Sequence, residues 1–476
     1  MKLNFDGHQI QTTPGTSLLQ LIHQLGMDGA QLPDRPLAAK IAGEVFNLNY
    51  IPLREKDATP DSPTIRRAMA ASGGEVHLLR YADPAGKEVY ARTAQFVMFL
   101  ALHRLWPQAQ AKMSCTIGSG LFVSVSNCPE FSVRQLKAEI SRLVEMDIPL
   151  IRQRLTTQEA IDRFLAAGQE DKARLLSWRQ ETFFDEYIYE DFGDYFYGEL
   201  APSTGYLQVW DVQQKDGGFM FIYPDPNDPV QVADFKESPH FFAIFSEGEK
   251  WCDLMECRTV ADLNELTQSG RIRELIRVNE ALHEKSYSRV ADLVCQQGAK
   301  AVLLAGPSSS GKTTSANRLA TQLRVHGKKP ILMGLDDYYI DRDQILPGPD
   351  GQLDLEHINT IDTQLFGEHL KALLDGQEVE IPVFNFKTGR REWHGHKMQM
   401  TNDTVFIIEG LHALNPVLLP PDLDQHMVFK LYVSALLPLN LDDHNRIPTS
   451  YLRLLRRTVR DYETRGATVE RTMGMW

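Results

Sequence analysis

The chain has 476 residues, 43% of them hydrophobic and 24% charged, a balance that belongs to folded protein and excludes a disordered or fibrous chain. Its length is too great for one ordinary domain and allows roughly three. A formal net charge of −13 excludes a general non-specific nucleic-acid binder, which needs basic surface to displace counterions, but leaves room for a local basic face.

The five cysteines, Cys115, Cys128, Cys252, Cys257 and Cys295, are an odd count in a long chain and read as reduced thiols in the cytosol. Cys252 and Cys257 have no second Cys or His pair at zinc spacing nearby, so no structural zinc is expected. The opening MKLNFDGHQI has no apolar signal-peptide core. No apolar run approaches the roughly 18 residues of a membrane span. A cytoplasmic protein without membrane contact is the expectation.

In chain order, residues 1–62 form a first small unit. Leu3 and Phe5 alternate with polar neighbours, Asp6-Gly7 supplies a hairpin turn, and Ile10 lies on the returning strand. A helix starts at Ser17 with Thr16 as its predicted cap, and strands follow near residues 38–41 and 45–48. Hairpin, helix, then strands is the order of a ubiquitin-like β-grasp. This order, with the segment PLAAKIAGEVFNLNYIPL, resembles the TGS domain of threonyl-tRNA synthetases and certain GTPases.

Residues 63–235 form a second unit. Residues 93–105 are apolar at helical spacing, Gly118-Ser119-Gly120 marks a hairpin, and Phe131, Leu136, Ile140, Leu143 and Val144 mark an amphipathic helix. The aromatic run Phe183, Phe184, Tyr187, Tyr189, Phe192, Tyr195, Phe196 and Tyr197 could stack bases, but the packed core of a sheet is the commoner cause and is expected here. The arrangement resembles the second additional domain of threonyl-tRNA synthetases. That family's editing site uses a His-x-x-x-His pair and a Cys-x-x-x-His pair. Here the corresponding helix reads Thr93-Ala94-Gln95-Phe96-Val97, so editing hydrolysis is not expected. Residues 236–298 read as a helical connector, with Gly270 separating two helical patterns.

Residues 299–476 carry the chemistry. A buried parallel strand is predicted at Ala301–Ala305, followed by Gly306-Pro307-Ser308-Ser309-Ser310-Gly311-Lys312-Thr313 and an apolar-periodic helix that takes in Thr314. This is a complete G-x-x-x-x-G-K-[ST] motif in strand–loop–helix context. Its glycines permit a loop of inward backbone N–H groups, a helix N-terminus adds its dipole, Lys312 reaches the β- and γ-phosphates, and Thr313 ligates Mg²⁺. A second strand, residues 330–335, ends in Asp336-Asp337, where a carboxylate can accept the proton of an attacking hydroxyl. A third, residues 404–408, ends in Glu409, the place of a Mg²⁺-holding carboxylate. Arg453, Arg456, Arg457 and Arg460 share one helix face and can clamp phosphoryl oxygens; a solvated or RNA-facing basic helix is the competing explanation.

The Walker A loop, LDDYY, IPVFNFKTGRR, IIEG and RRTVRDYETRG together resemble the uridine kinase and phosphoribulokinase family, in matching order over about 170 residues. The resemblance implies ATP and Mg²⁺ as cofactors, Asp336 as catalytic base, and catalytic roles for Lys312, Arg457 and Arg460. It implies substrate contacts from Asp354, Phe384 and Arg465, and metal contacts from Thr313 and Glu409. Three departures fall where the nucleoside is read: Phe384-Asn385 stands for Tyr-Asp, Gly389 for a histidine, and Ala467 for an arginine. A further strand and helix are expected after the lid in this family, so the chain reads as C-terminally truncated.

The expected architecture is multidomain α+β and α/β: a β-grasp, a synthetase-like domain, then a P-loop parallel sheet with helices on both faces. The expected activity is transfer of the ATP γ-phosphoryl group to a hydroxyl of a nucleoside or similar small polyol, with RNA contact through the N-terminal domains. The alternative is a nucleotide-gated tRNA- or ribosome-binding factor. The lack of an Asn-Lys-x-Asp motif disfavours a GTPase, and Asp336 favours the kinase, because a switch needs no hydroxyl base.

Overall fold

The computed structural model describes residues 2–13, 15–52, 71–346, 354 and 356–476, apart from the side chains at 464 and 465. The chain forms two units. One comprises Met1–Ser269 with Pro438–Arg446, and the other Gly270–Leu437 with Ile447–Trp476.

The first unit opens with a five-stranded sheet in the order His8–Gln11, Lys2–Phe5, Glu75–Leu79, Ala38–Ile41, Glu44–Phe46. Alternation along the first strand turns Leu3 and Phe5 into the core, onto Leu18, Leu21 and Ile22 of the helix Leu18–Leu25. That helix is capped by Ser17 rather than Thr16. The Ser17 hydroxyl accepts from the Gln20 N–H, while the Gln20 side chain accepts from the Ser17 N–H, so both residues are needed for the cap. The central strand Glu75–Leu79 pairs parallel with Lys2–Phe5 and antiparallel with Ala38–Ile41. It lies beyond residue 62, where the sequence pattern ends the first unit, because its pairing partners are far away in the chain.

The helix Pro84–Leu105 is buried around nearly its whole circumference, as a helix enclosed by its domain must be. Thr93 and Phe96 are fully buried within it. A four-stranded antiparallel sheet runs Asp211–Lys215, Gly218–Ile222, Gly120–Ser126, Gln110–Ile117, and a three-stranded one runs Phe192–Asp194, Phe183–Tyr189, Arg152–Thr156. Most of the aromatic run is core. Phe184, Tyr187, Phe192, Tyr195 and Phe196 are buried, while Phe183 and Tyr197 remain exposed.

The second unit is built on four parallel strands in the order Lys329–Gly334, Thr404–Gly410, Ala301–Ala305, Val428–Tyr432. Its strands are apolar on both faces. Leu303, Phe406 and Ile408 pack with Phe366, Leu370 and Leu373 of the helix Thr363–Leu374. Val302, Leu304, Val405 and Ile407 pack with Ala316, Leu319 and Leu323 of the helix Lys312–Val325, and with Ala291 and Val294 of the helix Ile272–Gln297. Helices therefore cover both faces, as a parallel sheet requires. The register sets Ala305 beside Gly410 and Tyr432, and Gly334 beside Glu409, so the carboxyl ends of the strands form one edge. Among the described residues no helix is long and apolar enough to cross a membrane.

Candidate active site

The loop after Ala305 is shaped by backbone constraints that side chains would disturb. Ser309 and Gly311 have φ of +59° and +98°, and a Cβ on Gly306 would meet the Val433 carbonyl oxygen at 2.3 Å. The loop closes with the Ser310 N–H donating to the Pro307 carbonyl at 3.2 Å, and the helix Lys312–Val325 follows. The Ser309 and Ser310 hydroxyls are buried with no hydrogen-bond partner. Two orphaned hydroxyls beside a helix N-terminus fit an anion, which would satisfy them and the first-turn N–H groups together.

The charges agree with that fit. The Lys312 ammonium lies 3.4 Å from the Pro307 carbonyl. Burial holds it below its usual range; Glu409 and Asp336 oppose that effect, and Arg460 and Arg453 reinforce it. Three cations and two carboxylates thus act on Lys312, and a phosphate chain would favour its charged form. The Thr313 hydroxyl donates to Glu409 Oε1 at 2.7 Å, joining the helix start to the end of the central strand. Hydroxyl and carboxylate are both hard oxygen donors, the set that Mg²⁺ takes at phosphate sites. Thr314 is exposed on the first helical turn.

After Gly334 the chain makes a short helical turn, Leu335–Tyr338. The two aspartates in it differ. Asp336 is exposed, while Asp337 is half-buried and its Oδ1 accepts from the Phe384 N–H at 3.3 Å. Burial raises the Asp337 carboxyl above its usual range. Phe384 is buried against Tyr339 and Phe386, with ring centroids 5.4 Å and 5.2 Å away. Gly389 has φ of +70°, and its carbonyl accepts from the Arg342 N–H at 2.8 Å. A turn requirement therefore explains the glycine there. Asp354 is exposed and accepts from the Glu356 N–H at 3.0 Å.

The arginine face lies on the helix Thr449–Arg465. Arg457 lies 3.5 Å from Asp461 and 3.7 Å from Glu356, and Arg460 lies 2.8 Å from Asp461. The side chain of Arg465 falls outside the described residues. Arg453, which sequence motifs did not single out from its neighbours, donates to the Ser308 carbonyl at 2.9 Å and stacks over the Trp476 ring at 5.0 Å. Its i−4 and i−7 spacing to Arg457 and Arg460 was the only signal available.

Residues 302–476 match the model of the phosphoribulokinase / uridine kinase family. The uridine kinase of Halalkalibacterium halodurans is 31% identical over 167 residues, which cover 35% of this chain and 69% of that enzyme. The chain belongs to the phosphoribulokinase / uridine kinase family. The family's P-loop kinase fold accounts for the parallel sheet and the loop described above. The N-terminal region is similar to a threonine–tRNA ligase of Syntrophomonas wolfei, at 25% identity over 218 residues, 45% of this chain. The chain matches only 31% of the length of that ligase. A solved structure described as a possible uridine kinase from Bacillus stearothermophilus aligns with 30% of this chain and 78% of its own, at 21% identity and a TM-score of 0.25.

Proposed function

We propose that the chain is an ATP- and Mg²⁺-dependent kinase acting on a hydroxyl of a nucleoside or similar small polyol. The observation that carries this reading is the P-loop with its orphaned serine hydroxyls and its depressed Lys312, whose charge both Asp336 and Glu409 influence. When bound, MgATP supplies the γ-phosphoryl group and the metal charge that screens it. The loop residues 306–313 cradle the phosphates through backbone N–H groups, and Lys312 neutralises the charge that develops on them. Thr313 and Glu409 would hold the metal. Asp336 takes the proton of the acceptor hydroxyl as its oxygen bonds to phosphorus and the bond to the leaving diphosphate breaks. Arg457 and Arg460 stabilise the transferring oxygens, and Phe384 and Asp354 contact the acceptor. Asp337 is a tether for the Phe384 backbone.

ADP release from MgATP, screened across nucleosides, ribose derivatives and small polyols, tests the reading. Stimulation by one class of hydroxyl compound is the expected result, and no stimulation by any would reject it. Asp336→Asn should cut stimulated turnover by about 10²- to 10⁴-fold and leave MgATP affinity within about twofold. Asp337→Asn should cost less, and the reverse order would transfer the base to Asp337.

A further inference from the structure

The segment Pro438–Arg446 lies between the strand Val428–Tyr432 and the arginine helix Thr449–Arg465, both in the second unit, yet it belongs to the first. It is a tight hairpin, Asn440–Asp442 paired with Asn445–Arg446. Nearly every polar group in it is held by the first unit. Asn440 Nδ2 donates to the Met113 carbonyl at 2.8 Å, and the Asp443 carbonyl accepts from the Met113 N–H at 2.8 Å. The Asp443 N–H donates to Asp171 at 2.7 Å, Tyr195 Oη donates to Asp442 at 2.5 Å, and Arg446 donates to the Thr116 hydroxyl at 2.9 Å.

At the centre is a buried ionic cluster. Lys172 and Asp194 are 1% and 0% exposed and meet at 2.6 Å. His444 enters between them, with Nδ1 at 2.6 Å from Asp194 Oδ2 and 2.8 Å from Lys172 Nζ, and its ring lies flat on Phe99 at 3.5 Å. Nδ1 can carry only one proton. That proton goes to the carboxylate, which accepts from both cluster partners, and the approach to Nζ is a contact between two donors. Burying these charges costs more than burying an apolar plug of equal size, so what the ions add is one defined register. Only Ile447 and Pro448 separate the hairpin from the helix that carries Arg453, Arg457 and Arg460. The three Cα–Cα steps from Arg446 to Thr449 span at most roughly 11 Å, so a docked hairpin limits how far the start of that helix can move.

We infer that the Lys172–Asp194–His444 cluster is a latch by which the first unit restrains the arginine helix, with His444 as a positioning residue. For its effect on turnover this rests on the kinase reading above; for its effect on the helix it does not. Hydrogen exchange and ADP release from MgATP alone, measured on the full chain, test the two parts separately. His444→Ala should speed exchange of the amides at 453–457 by about tenfold while those of Ala301–Ala305 stay as they were. It should lower kcat for ADP release by about tenfold with KM for ATP within about twofold, because the nucleotide cradle is untouched. His444→Asn, which keeps a donor for Asp194, should restore most of both. A second variant leaves the first unit whole: four glycines inserted between Arg446 and Ile447 should loosen the helix and lower kcat as His444→Ala does. Wild-type exchange at 453–457 in the insertion variant overturns the latch, even if His444→Ala unfolds. Loosened exchange with unchanged kcat also overturns the positioning role. ADP release that no hydroxyl compound stimulates would count against the kinase reading, and exchange would still decide the latch.

Discussion

Two lysines in this chain sit in opposite electrostatic circumstances. Lys172 is wholly buried; burial works against its charge, but Asp194, Asp442 and Asp171 outweigh it and hold the ammonium above its usual range. Lys312 is only partly buried, yet burial and the nearby Arg460 and Arg453 keep it below its usual range in spite of Glu409 and Asp336. The first cluster is complete, with each charge met by a partner inside the protein. The second has two buried hydroxyls without partners beside its lysine. A completed cluster stabilises structure and an incomplete one awaits a ligand, so burial alone does not tell a site from a strut.

The contrast breaks most sharply at Lys312. Lys312→Ala should weaken MgATP binding by more than about tenfold and cut turnover by roughly 10³-fold, since in the proposed reading it removes the cation that meets the phosphates. Calorimetry and steady-state rates read both. Lys172→Ala should leave MgATP affinity unchanged in the same titration. Equal affinity for wild type and Lys312→Ala would show that the depressed lysine is not the anion's partner.

The second unit was largely legible because its chemistry is encoded locally. A run of apolar residues, a glycine-bounded loop and a helix fall within residues 301–325, and the strand expected at 404–408 extends to Gly410, carrying Glu409 at its end. The asymmetry of Asp336 and Asp337 was legible only in part, since the tether to Phe384 spans 47 residues. The hairpin at 438–446 could not be read at all. Its Asn, Asp and His residues look like a solvated loop, and its ionic partner Lys172 lies 272 residues away. Pairing over such distances leaves no period in the sequence, which also explains why the strand Glu75–Leu79 was missed as the middle of the first sheet.

If the first cluster is structural, breaking it should cost stability rather than binding. Lys172→Met leaves the Asp194 carboxylate buried beside His444 alone and should destabilise the first unit by about 3–5 kcal/mol. The charge-neutral double variant Lys172→Met with Asp194→Asn should recover a large part of that loss. Urea unfolding followed by tryptophan fluorescence gives both values. A single variant as stable as wild type would mean that the ions are not buried together in solution.

The smallest expected effect concerns pH and a neighbour of the cluster. Glu186 is 1% exposed, and neither of its carboxylate oxygens has a hydrogen-bond partner. Burial pushes its carboxyl up to about 7, against the pull of Arg163, whose Nε stands 3.5 Å away. Burial likewise pushes Asp442 up to about 6, against the pull of Lys172. Unfolded, such carboxyls titrate near 4 (roughly 3.9 for Asp and 4.3 for Glu). Between those values the folded chain holds protons that the unfolded chain has lost. The resulting stability is fully present below about pH 4 and disappears as pH rises through 6 and 7. Asp194 has the opposite sign. Burial opposes its charge, but Lys172 and His444 hold it down at about 2, so its contribution fades only as pH falls from about 4 to 2. Between pH 5.5 and 8 the raised groups dominate, and the first unit should be more stable at the lower pH by on the order of 2 kcal/mol, a figure reduced for the solvent near Arg163. Glu186→Gln should raise stability at pH 8 and flatten most of the slope, leaving the part due to Asp442. Higher stability at pH 8 than at pH 5.5 in the wild type would mean that Glu186 is ionised in the fold and paired with Arg163.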